Sequence, residues 1–319
     1  MKVSSEGAFR PARRRIARVG GRRRIQCARV SCAILIVGFH AYDALERCLA
    51  SLPQYLASGD EVIVVDHESD ERALRAALKN CPVATGIPYA DNPGFAAGVN
   101  RAARRASAPY LMCLNPDAEL LGPVPRVLEA WLGAHDGVGV VGPRVLDADG
   151  GVQSSARRFP GLSTVFGGRS TWLSRRFPGN WFTERNVLGR GATEPVVVDW
   201  VAGSCLMTRR DAFDRLGGFD ERFFLYWEDA DYCRRAASLG FQTMYVPGVE
   251  VRHTAGASSA YAHRRAIREF HESAFLWHQK HTGTIGRLLA PVVHAGLRLR
   301  GSLQSRRVGR SGVPPNARR

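Results

Sequence analysis

The runs Ala33-Ile-Leu-Ile-Val37 and Glu61-Val-Ile-Val-Val-Asp66 decide the fold, because both are short, apolar and rich in β-branched residues. Continuous apolar runs of this length are typical of strands that are buried on both faces of a parallel sheet. Between them, leucine and cysteine recur at helical spacing until Pro53 ends the pattern. A strand, a helix and a second strand in this order predict a βαβ unit.

The same alternation continues on both sides of an irregular segment, residues 152–195, which we interpret as a long insertion. The predicted strands are Val83–Ile87, Tyr110–Leu114, Val138–Val141 and Thr243–Val246, with a further ordered stretch at Val196–Met207; the predicted helices are 70–79, Phe95–Ala106, Val124–Leu132, Asp211–Leu216, Glu228–Leu239 and Tyr261–Lys280. We therefore predict an α/β protein with a doubly wound, mostly parallel sheet flanked by helices.

The composition of the 319 residues is that of a globular protein, with 45% hydrophobic and 23% charged residues. Disordered, collagenous and coiled-coil classes are therefore excluded. The formal charge of +16 is concentrated at the ends: residues 1–30 carry +9 and residues 281–319 carry +8, which leaves −1 for residues 31–280. We expect one folded domain, 31–280, between a basic N-terminal extension and a basic C-terminal tail.

The two basic ends admit three interpretations. They can hold the protein at an anionic membrane surface, or they can be solubilising tails, with residues 1–30 even arising from a mis-assigned translation start. Nucleic-acid binding through the ends is a further alternative. The ends lack interleaved aromatic residues and any nucleic-acid-binding motif, which argues against this function.

The seven cysteines form no CxxC pair, and their odd number argues against a disulfide framework. We expect reduced, buried thiols, as in a cytosolic protein. No apolar stretch reaches the 18 residues or more of a membrane-spanning helix. The expected location is thus the cytoplasm, with a peripheral position at the inner face of the plasma membrane if the basic ends bind lipid.

Polar residues follow four of the predicted strands, where an open parallel sheet binds its ligands. They are Gly38-Phe-His40, Asp66-His-Glu68, Asp91-Asn-Pro-Gly-Phe95 and Asn115-Pro-Asp117. Each alone is explained as a helix cap or turn, but together they predict a binding site. We find no match to a P-loop or to a GxGxxG phosphate cradle. A Mg²⁺ or Mn²⁺ ion held by Asp117, with His253 as a further ligand, could neutralise a diphosphate instead.

The predicted helix that opens with Glu228-Asp229-Ala-Asp231 follows an apolar run, Phe223–Trp227. Acidic residues in a first helical turn complement the helix dipole, which is a sufficient structural explanation. A carboxylate at the mouth of an apolar pocket, however, has a raised pKa and can act as a general base.

Five ordered blocks carry a family resemblance. They are Asp66, Asp91-Asn-Pro-Gly-Phe-Ala-Ala-Gly-Val-Asn100, Leu114-Asn-Pro-Asp-Ala-Glu119, Val198-Asp-Trp-Val-Ala-Gly203 and Gly217-Gly-Phe-Asp-Glu-Arg-Phe-Phe-Leu-Tyr-Trp-Glu-Asp-Ala-Asp-Tyr-Cys233. Together they resemble glycosyltransferase family 2, particularly its bacterial rhamnosyltransferase-like branch. The resemblance covers residues 31 to about 280 and implies a GT-A fold, with a nucleotide-sugar-binding half at 31–150 and an acceptor and catalytic half at 196–280.

The resemblance also implies a role for each residue of the site. Asp66 reads the nucleobase, and Gly38, Phe39, Asp91, Asn92, Gly94 and Asn100 border the nucleoside. Asn115 and Asp117 stand in for the family's acidic element, with Asp117 facing the metal and His253 as the distal metal ligand. Asp229 matches the catalytic base, Glu228 is its neighbour, and Trp200 and Gly203 form the wall near the transferred sugar.

The expected activity is that of an inverting glycosyltransferase. It would move a sugar such as rhamnose from a dTDP- or UDP-sugar to a hydroxyl of a cell-surface glycan or lipid-linked acceptor, with a divalent cation, Mg²⁺ or Mn²⁺, as cofactor. A sugar nucleotidyltransferase is the alternative enzyme, since it could share the sheet and the metal. It would release pyrophosphate, whereas a glycosyltransferase releases a nucleoside diphosphate.

Overall fold

The computed structural model describes residues 32–68, 70–159, 191–254 and 263–311. The described strands are β1 (Cys32–Gly38), β2 (Glu61–Asp66), β3 (Ala84–Pro88), β4 (Tyr110–Leu114), β5 (Ala118–Leu120), β6 (Val138–Leu146), β7 (Ala156–Arg157), β8 (Val196–Val198), β9 (Trp200–Val201), β10 (Cys205–Arg209) and β11 (Gln242–His253). The helices are α1 (Tyr42–Ser51), α2 (Glu71–Leu78), α3 (Phe95–Ala103), α4 (Val124–Ala134), α5 (Arg210–Leu216), α6 (Glu228–Ser238), α7 (His263–His281), α8 (Thr284–Leu288) and α9 (Ala290–Ser311).

Nine of these strands form one sheet in the order β3-β2-β1-β4-β10-β6-β11-β5, with β8 paired to β11. Six strands run in one direction, and β5, β8 and β10 run in the other. The predicted α/β class with a mostly parallel sheet is confirmed. The antiparallel β10 lies between β4 and β6. The stretch 196–207, which the sequence predicts to be ordered, is divided among β8, β9 and the first part of β10.

The sheet is covered on both faces, and strand β1 shows how. Ile34 and Ile36 belong to one buried cluster, which includes residues of α1, α2 and α4. Leu35 and Val37 belong to a second cluster on the opposite face, with residues of α3, α5 and α6. Every residue of β1 is buried. This two-sided burial is the reason that the strand is apolar without alternation.

The spacing GxGxxG does occur once, at Gly137-Val-Gly-Val-Val-Gly142, but most of it lies inside β6. A Cβ atom on Gly139 would contact Phe241, and one on Gly142 would contact Val201. These glycines therefore make room for packing within the sheet, and they do not form a phosphate-binding turn.

Two differences from the sequence prediction affect the site. Strand β11 continues to His253, so this histidine ends the strand instead of following it. Residues 156–157 of the predicted insertion form strand β7, which pairs with β9. Residues 160–190 of the insertion lie outside the described residues, as does the predicted basic extension 1–30.

The C-terminal segment, expected as a basic tail at 281–319, contains two helices, α8 and α9, up to residue 311. Helix α9 packs along α7. The six cysteines within the described ranges are free and buried. Among the helices that the structure describes, none is both long and apolar enough to span a membrane.

Candidate active site at the carboxyl edge of the sheet

Asp229 lies in the first turn of α6 and is held by backbone donors. The Gly203 N–H donates to its Oδ2 at 2.8 Å, and the Ala230 N–H donates to its Oδ1 at 2.7 Å. Burial raises the pKa of Asp229, while the two N–H donors and the positive charge of Arg157 oppose that shift. The side chain is only partly buried. Asp229 thus has the position and the basicity of a general base that a substrate could reach.

The residues Gly203 and Ser204 connect Asp229 to the end of strand β4. The Gly203 N–H donates to Asp229, and the next residue, Ser204, accepts a 3.0 Å hydrogen bond through its carbonyl from the Asn115 N–H. This connection exists because β10 pairs antiparallel with β4, with Cys205 opposite Leu114. The segment before β10 therefore lies at the edge where the parallel strands end, between the two acidic elements.

Asp117 and His253 meet at this edge, as the sequence predicted. Their closest atoms, Asp117 Oδ1 and His253 Nε2, are 3.2 Å apart, and Asn115 Nδ2 is also 3.2 Å from His253 Nε2. Asp117 is 8% exposed. Within the described ranges, no group of three or more His, Cys, Asp or Glu side chains is close enough to hold a metal ion. A metal here would rely on two protein side chains and on oxygen atoms of the substrate.

Gln153 fixes the orientation of the His253 ring, a contact that the sequence did not predict. Its Nε2 donates to the His253 carbonyl at 2.7 Å, which directs its Oε1 towards His253 Nδ1 at 3.2 Å. Because an amide oxygen only accepts, Nδ1 carries the proton of this bond. Nε2 therefore faces Asp117, in the arrangement of a metal-ligating histidine whose other nitrogen is held by a second residue.

Glu228 is buried beside Asp229, with 5% of its surface exposed. Its Oε2 has no hydrogen-bond partner among the described residues. Burial and the negative charge of Asp229 raise the pKa of Glu228 well above its usual range. Asp229 accepts two N–H donors and Glu228 Oε2 accepts none, so hydrogen bonding favours the charged form of Asp229 over that of Glu228.

Tyr226 and Trp227 lead into α6 with positive φ angles of 69° and 71°. Burial, together with the carboxylates of Glu228 and Asp117, raises the pKa of Tyr226. Two consecutive residues in the left-handed region are unusual for side chains of this size. The strained turn directs α6 so that its first turn lies beside the ends of the strands.

Gly94 brings the loop that starts at Asp91 against this turn. Its φ is 102°, and a Cβ atom would overlap the carbonyl of Phe224. The Phe95 N–H donates to the same carbonyl at 2.8 Å. Asn92 Oδ1 accepts from the Gly94 N–H at 3.0 Å. The loop therefore needs glycine here, and it joins the first half of the sheet to the start of α6.

Asp66 is buried at the end of β2, next to Gly38 of β1. Its Oδ2 accepts a 2.8 Å hydrogen bond from the hydroxyl of Tyr42, and its Oδ1 accepts one from the Glu68 N–H at 3.2 Å. Burial and the Asp66 carboxylate raise the pKa of Tyr42. Phe39, which follows Gly38, is partly buried.

Asp91 is exposed and forms a bidentate pair with Arg101, at 2.8 and 2.7 Å. The hydrogen bonds from Arg101 lower the pKa of Asp91. The Arg101 guanidinium also lies 4.3 Å from the centre of the Tyr89 ring. This surface combines a charge pair with an aromatic ring at the predicted nucleoside border.

Asn100, which precedes Arg101 in α3, is buried. Its side chain donates to the Phe219 carbonyl and to Glu221 Oε1, and it accepts from the Phe219 N–H, each at 2.9 Å. The described bonds of Asn100 therefore hold the turn after α5. In the second half, the Trp200 Nε1 donates to the Arg158 carbonyl at 3.0 Å.

Gln153, Tyr42 and Arg101 contact predicted site residues but were missed in the sequence. Gln153 lies in the irregular segment, which gives no periodic signal. Tyr42 follows the first strand closely and could have been found by extending the inspection beyond His40. Arg101 lies ten residues from its partner Asp91, a spacing that predicts no contact without the fold.

The family model described as "Glycosyltransferase like family 2" matches residues 29–271. An N-acetylglucosaminyl-diphospho-decaprenol L-rhamnosyltransferase of Mycobacterium tuberculosis is 32% identical over 289 residues, covering 86% of this chain and 92% of the relative. Two solved structures, each 18% identical, show the fold. The Pyrobaculum calidifontis mannosyltransferase PcManGT with GDP-Man and Mn²⁺ has a TM-score of 0.54 over 90% of this chain and 77% of its own. GalNAc-T7 with UDP, GalNAc and Mn²⁺ has a TM-score of 0.52 over 70% of this chain and 43% of its own.

These matches agree with the resemblance seen in the five sequence blocks and with the GT-A arrangement of sheet and helices. The chain belongs to glycosyltransferase family 2, in its rhamnosyltransferase-like branch, and is a glycosyltransferase that takes its sugar from a nucleotide donor.

Proposed function

We propose that this enzyme transfers rhamnose, with inversion, from a dTDP- or UDP-sugar to a hydroxyl of a lipid-linked glycan precursor. The relative from Mycobacterium tuberculosis, which by its name transfers L-rhamnose to a diphospho-decaprenol-linked sugar, supports both the sugar and the class of acceptor. In the proposed organisation, residues 31–150 bind the nucleotide sugar and residues 196–280 bind the acceptor.

The observation that carries the mechanism is the connection of Asp229 to Asn115 through Gly203 and Ser204. It supports a site in which the base and the diphosphate-binding element are held by one backbone segment. The Asp229 carboxylate takes the proton of the acceptor hydroxyl as the oxygen attacks the anomeric carbon. Because the two N–H donors fix both carboxylate oxygens, Asp229 is oriented before the substrate arrives. One displacement of this kind inverts the anomeric centre.

Asp117 and His253 would hold a divalent cation, Mg²⁺ or Mn²⁺. Their 3.2 Å contact and the Gln153 bond to His253 Nδ1 support this, because they leave Nε2 and a carboxylate oxygen side by side. Such an ion supplies positive charge to the departing diphosphate. The Mn²⁺ in the structures of PcManGT and GalNAc-T7 is consistent with the assignment.

The donor would lie along the residues that follow the first strands, from Gly38 and Phe39 to the Asp91–Gly94 loop, with Asp66 at the nucleobase. Trp200 and Gly203 would border the transferred sugar. The Gly94 contact with the turn before α6 supports a shared boundary between the two halves.

The experiment that tests the metal assignment is donor binding by Asp117→Ala, measured by calorimetry with Mn²⁺ and with a chelator. We expect the wild-type enzyme to bind the nucleoside diphosphate in a metal-dependent manner and the variant to lose that dependence. Glu119→Gln is the matched control, since Glu119 lies two residues away and pairs with Arg252 and Arg47. Donor binding that is indifferent to chelator and to Asp117→Ala would show that the metal assignment is wrong.

The reaction class is tested with a panel of nucleotide sugars, with product release as the readout. We expect release of a nucleoside diphosphate with the preferred donor and no pyrophosphate. Release of pyrophosphate would identify the alternative, a sugar nucleotidyltransferase.

A further inference from the structure

Helix α9 leaves three of its large apolar side chains exposed to solvent. The exposed fractions of Val292, Leu299 and Leu303 are 70%, 63% and 48%. Intervals of seven and four residues place these three on one face of the helix. Amphipathic helices at the surface of a soluble protein show the opposite orientation, with the apolar stripe facing the core.

The inner face of α9 packs against α7 and includes polar His294 and Arg300 together with apolar Val293 and Leu297. The His294 ring stacks on Phe275, with ring centres 4.2 Å apart and an interplanar angle of 11°. Burial lowers the pKa of Arg300, and the charge of Arg300 contributes to a lowered pKa of His271 on α7. A helix that buries polar groups and leaves leucines outside has an outer face suited to a nonaqueous environment.

Two leucines just before α9 are also exposed. Leu288, at the end of α8, is 75% exposed, and Leu289 between the two helices is 46% exposed. Arginines flank the apolar residues along the segment, at positions 287, 298 and 306. The outer face of α8–α9 consists of the exposed residues Leu288, Leu289, Val292, Leu299 and Leu303.

We propose that the outer face of α8–α9 lies on an anionic lipid bilayer, with the leucines at the acyl boundary and the flanking arginines at the headgroups. Interfacial helices combine these features, an apolar face and basic residues that reach anionic lipid. The surface goes beyond the proposed reaction and does not depend on it.

The charge of the segment decides among the possible occupants of this face. Residues 281–319 contain eight arginines and no acidic residue. A second copy of the chain packed through the same face would bring these like charges together, because a two-fold contact repeats the same patch. Residues 1–30, with a charge of +9, are disfavoured for the same reason. An anionic surface, in contrast, is complementary to the positive charge of residues 281–319.

The bilayer would also lie next to the acceptor side of the enzyme. Helix α7, which packs on α9, carries Phe270, whose ring centre is 5.7 Å from those of Tyr226 and Trp227. These two residues directly precede Glu228 and Asp229. The helix pair α7 and α9 therefore connects the proposed membrane surface to the start of α6.

Vesicle sedimentation of the full chain tests the proposal. The probes are phosphatidylcholine vesicles with and without phosphatidylglycerol, at physiological salt and at about 1 M salt, where the Debye length is about 3 Å. The test variant is L299Q/L303Q, and the matched control is V83Q/L239Q, which changes residues that are 56% and 41% exposed outside this face.

We expect wild type and control to bind anionic vesicles, with residual binding at high salt, and L299Q/L303Q to lose about tenfold or more of the binding at both salts. The arginine variant R298Q/R306Q should weaken binding at physiological salt only, because its contribution is electrostatic. Thermal unfolding verifies that each variant is folded, which is expected because all the changed side chains are at least partly exposed.

Equal binding by wild type and L299Q/L303Q at both salts would overturn the proposal, since basic residues elsewhere would then account for all binding. Light scattering, which measures the oligomeric state, tests whether a second copy of the chain occupies this face instead. A dimer that becomes a monomer in L299Q/L303Q, with vesicle binding unchanged, would identify the outer face of α8–α9 as a contact between copies and would also overturn it.

Discussion

Asp229 and Asp231 lie two residues apart in the first turn of α6, and their surroundings are electrostatically opposite. Asp229 accepts hydrogen bonds from two neutral N–H groups, and burial raises its pKa. Asp231 is completely buried and contacts three basic side chains: Arg235 Nε at 2.7 Å, Lys280 Nζ at 2.6 Å and His281 Nε2 at 2.7 Å. The hydrogen bonds from these groups lower the pKa of Asp231 in spite of its burial.

This difference separates a reactive carboxylate from a structural one. Asp231 ties α6 to the end of α7, and Lys280 extends the network to Asp220 with a 2.6 Å contact. A carboxylate with three basic partners is a poor base, because its charged form is already stabilised. Asp229 is partly accessible, its hydrogen-bond donors are neutral N–H groups, and only the charge of Arg157 acts on it as a nearby cation among the causes of its pKa shift. This comparison supports the proposal that Asp229, rather than Asp231, is the base.

The largest expected effect is that of Asp229→Asn on turnover. The amide cannot accept the proton of the acceptor, so we expect the transfer rate to fall by a factor on the order of 10² to 10⁴. Stability should fall by about 1 to 3 kcal/mol, because asparagine keeps one oxygen acceptor and turns its NH₂ group towards the second N–H donor. The measurements are transfer rate, donor affinity and melting temperature of the purified variant.

The control for this change is Asp211→Asn, because Asp211 is an exposed acidic residue in the first turn of α5. It should keep the wild-type rate. If Asp229→Asn also transferred sugar at a near wild-type rate while Asp231→Asn did not, the base would be Asp231 and the comparison above would be reversed.

Asp231→Asn should affect stability instead of chemistry. Removing the carboxylate leaves Arg235, Lys280 and His281 close together, and breaking a buried ion pair in this way costs about 3 kcal/mol or more. Urea unfolding measures the loss, and the folded fraction should retain its transfer rate. Because the pKa of Asp231 is lowered in the folded protein, its contribution to the free energy of unfolding is present above the usual carboxyl pKa. The contribution is lost as the pH falls through the lowered value.

Glu250→Gln is the control for Asp231, because the Glu250–Arg144 pair is more exposed, with 40% and 25% of the two side chains accessible. Exposed pairs contribute roughly 0 to 1 kcal/mol. Equal losses from the two substitutions would mean that the buried network has no special role in stability.

Glu228→Gln should have the smallest effect, a gain in stability that grows with pH. Because burial and Asp229 raise its pKa, the carboxyl of Glu228 stabilises the fold below its unfolded pKa and loses this contribution as the pH rises through the folded value. Glutamine does not titrate. At pH 8 we expect the free energy of unfolding of the variant to exceed that of wild type by an amount on the order of 1 kcal/mol, with a higher melting temperature. Near pH 4 we expect no difference.

Measuring the stability difference between Glu228→Gln and wild type over a range of pH tests whether the pKa of Glu228 is raised in the folded protein. A difference in stability that stays constant between pH 4 and pH 8 would mean that Glu228 keeps the same protonation state folded and unfolded. The raised pKa of Glu228 would then be contradicted.

By itself, the sequence determined the local features of this protein. Apolar runs and helical spacing predicted most strands and helices, because burial on one or two faces leaves a period that can be read directly. The polar residues after the strands predicted a ligand edge, since parallel strands end on the same side. The five blocks predicted the family, which the comparisons confirm.

Only the tertiary structure decided which of these residues contact one another. The antiparallel insertion of β10 brings Gly203 to Asp229, and no local pattern gives the direction of a strand within a sheet. The end of α7 reaches Asp231 from about 50 positions further along the chain. The apolar residues of α9 are likewise visible in the sequence, but their outward orientation is not, because the face that a helix buries depends on the partner that packs against it.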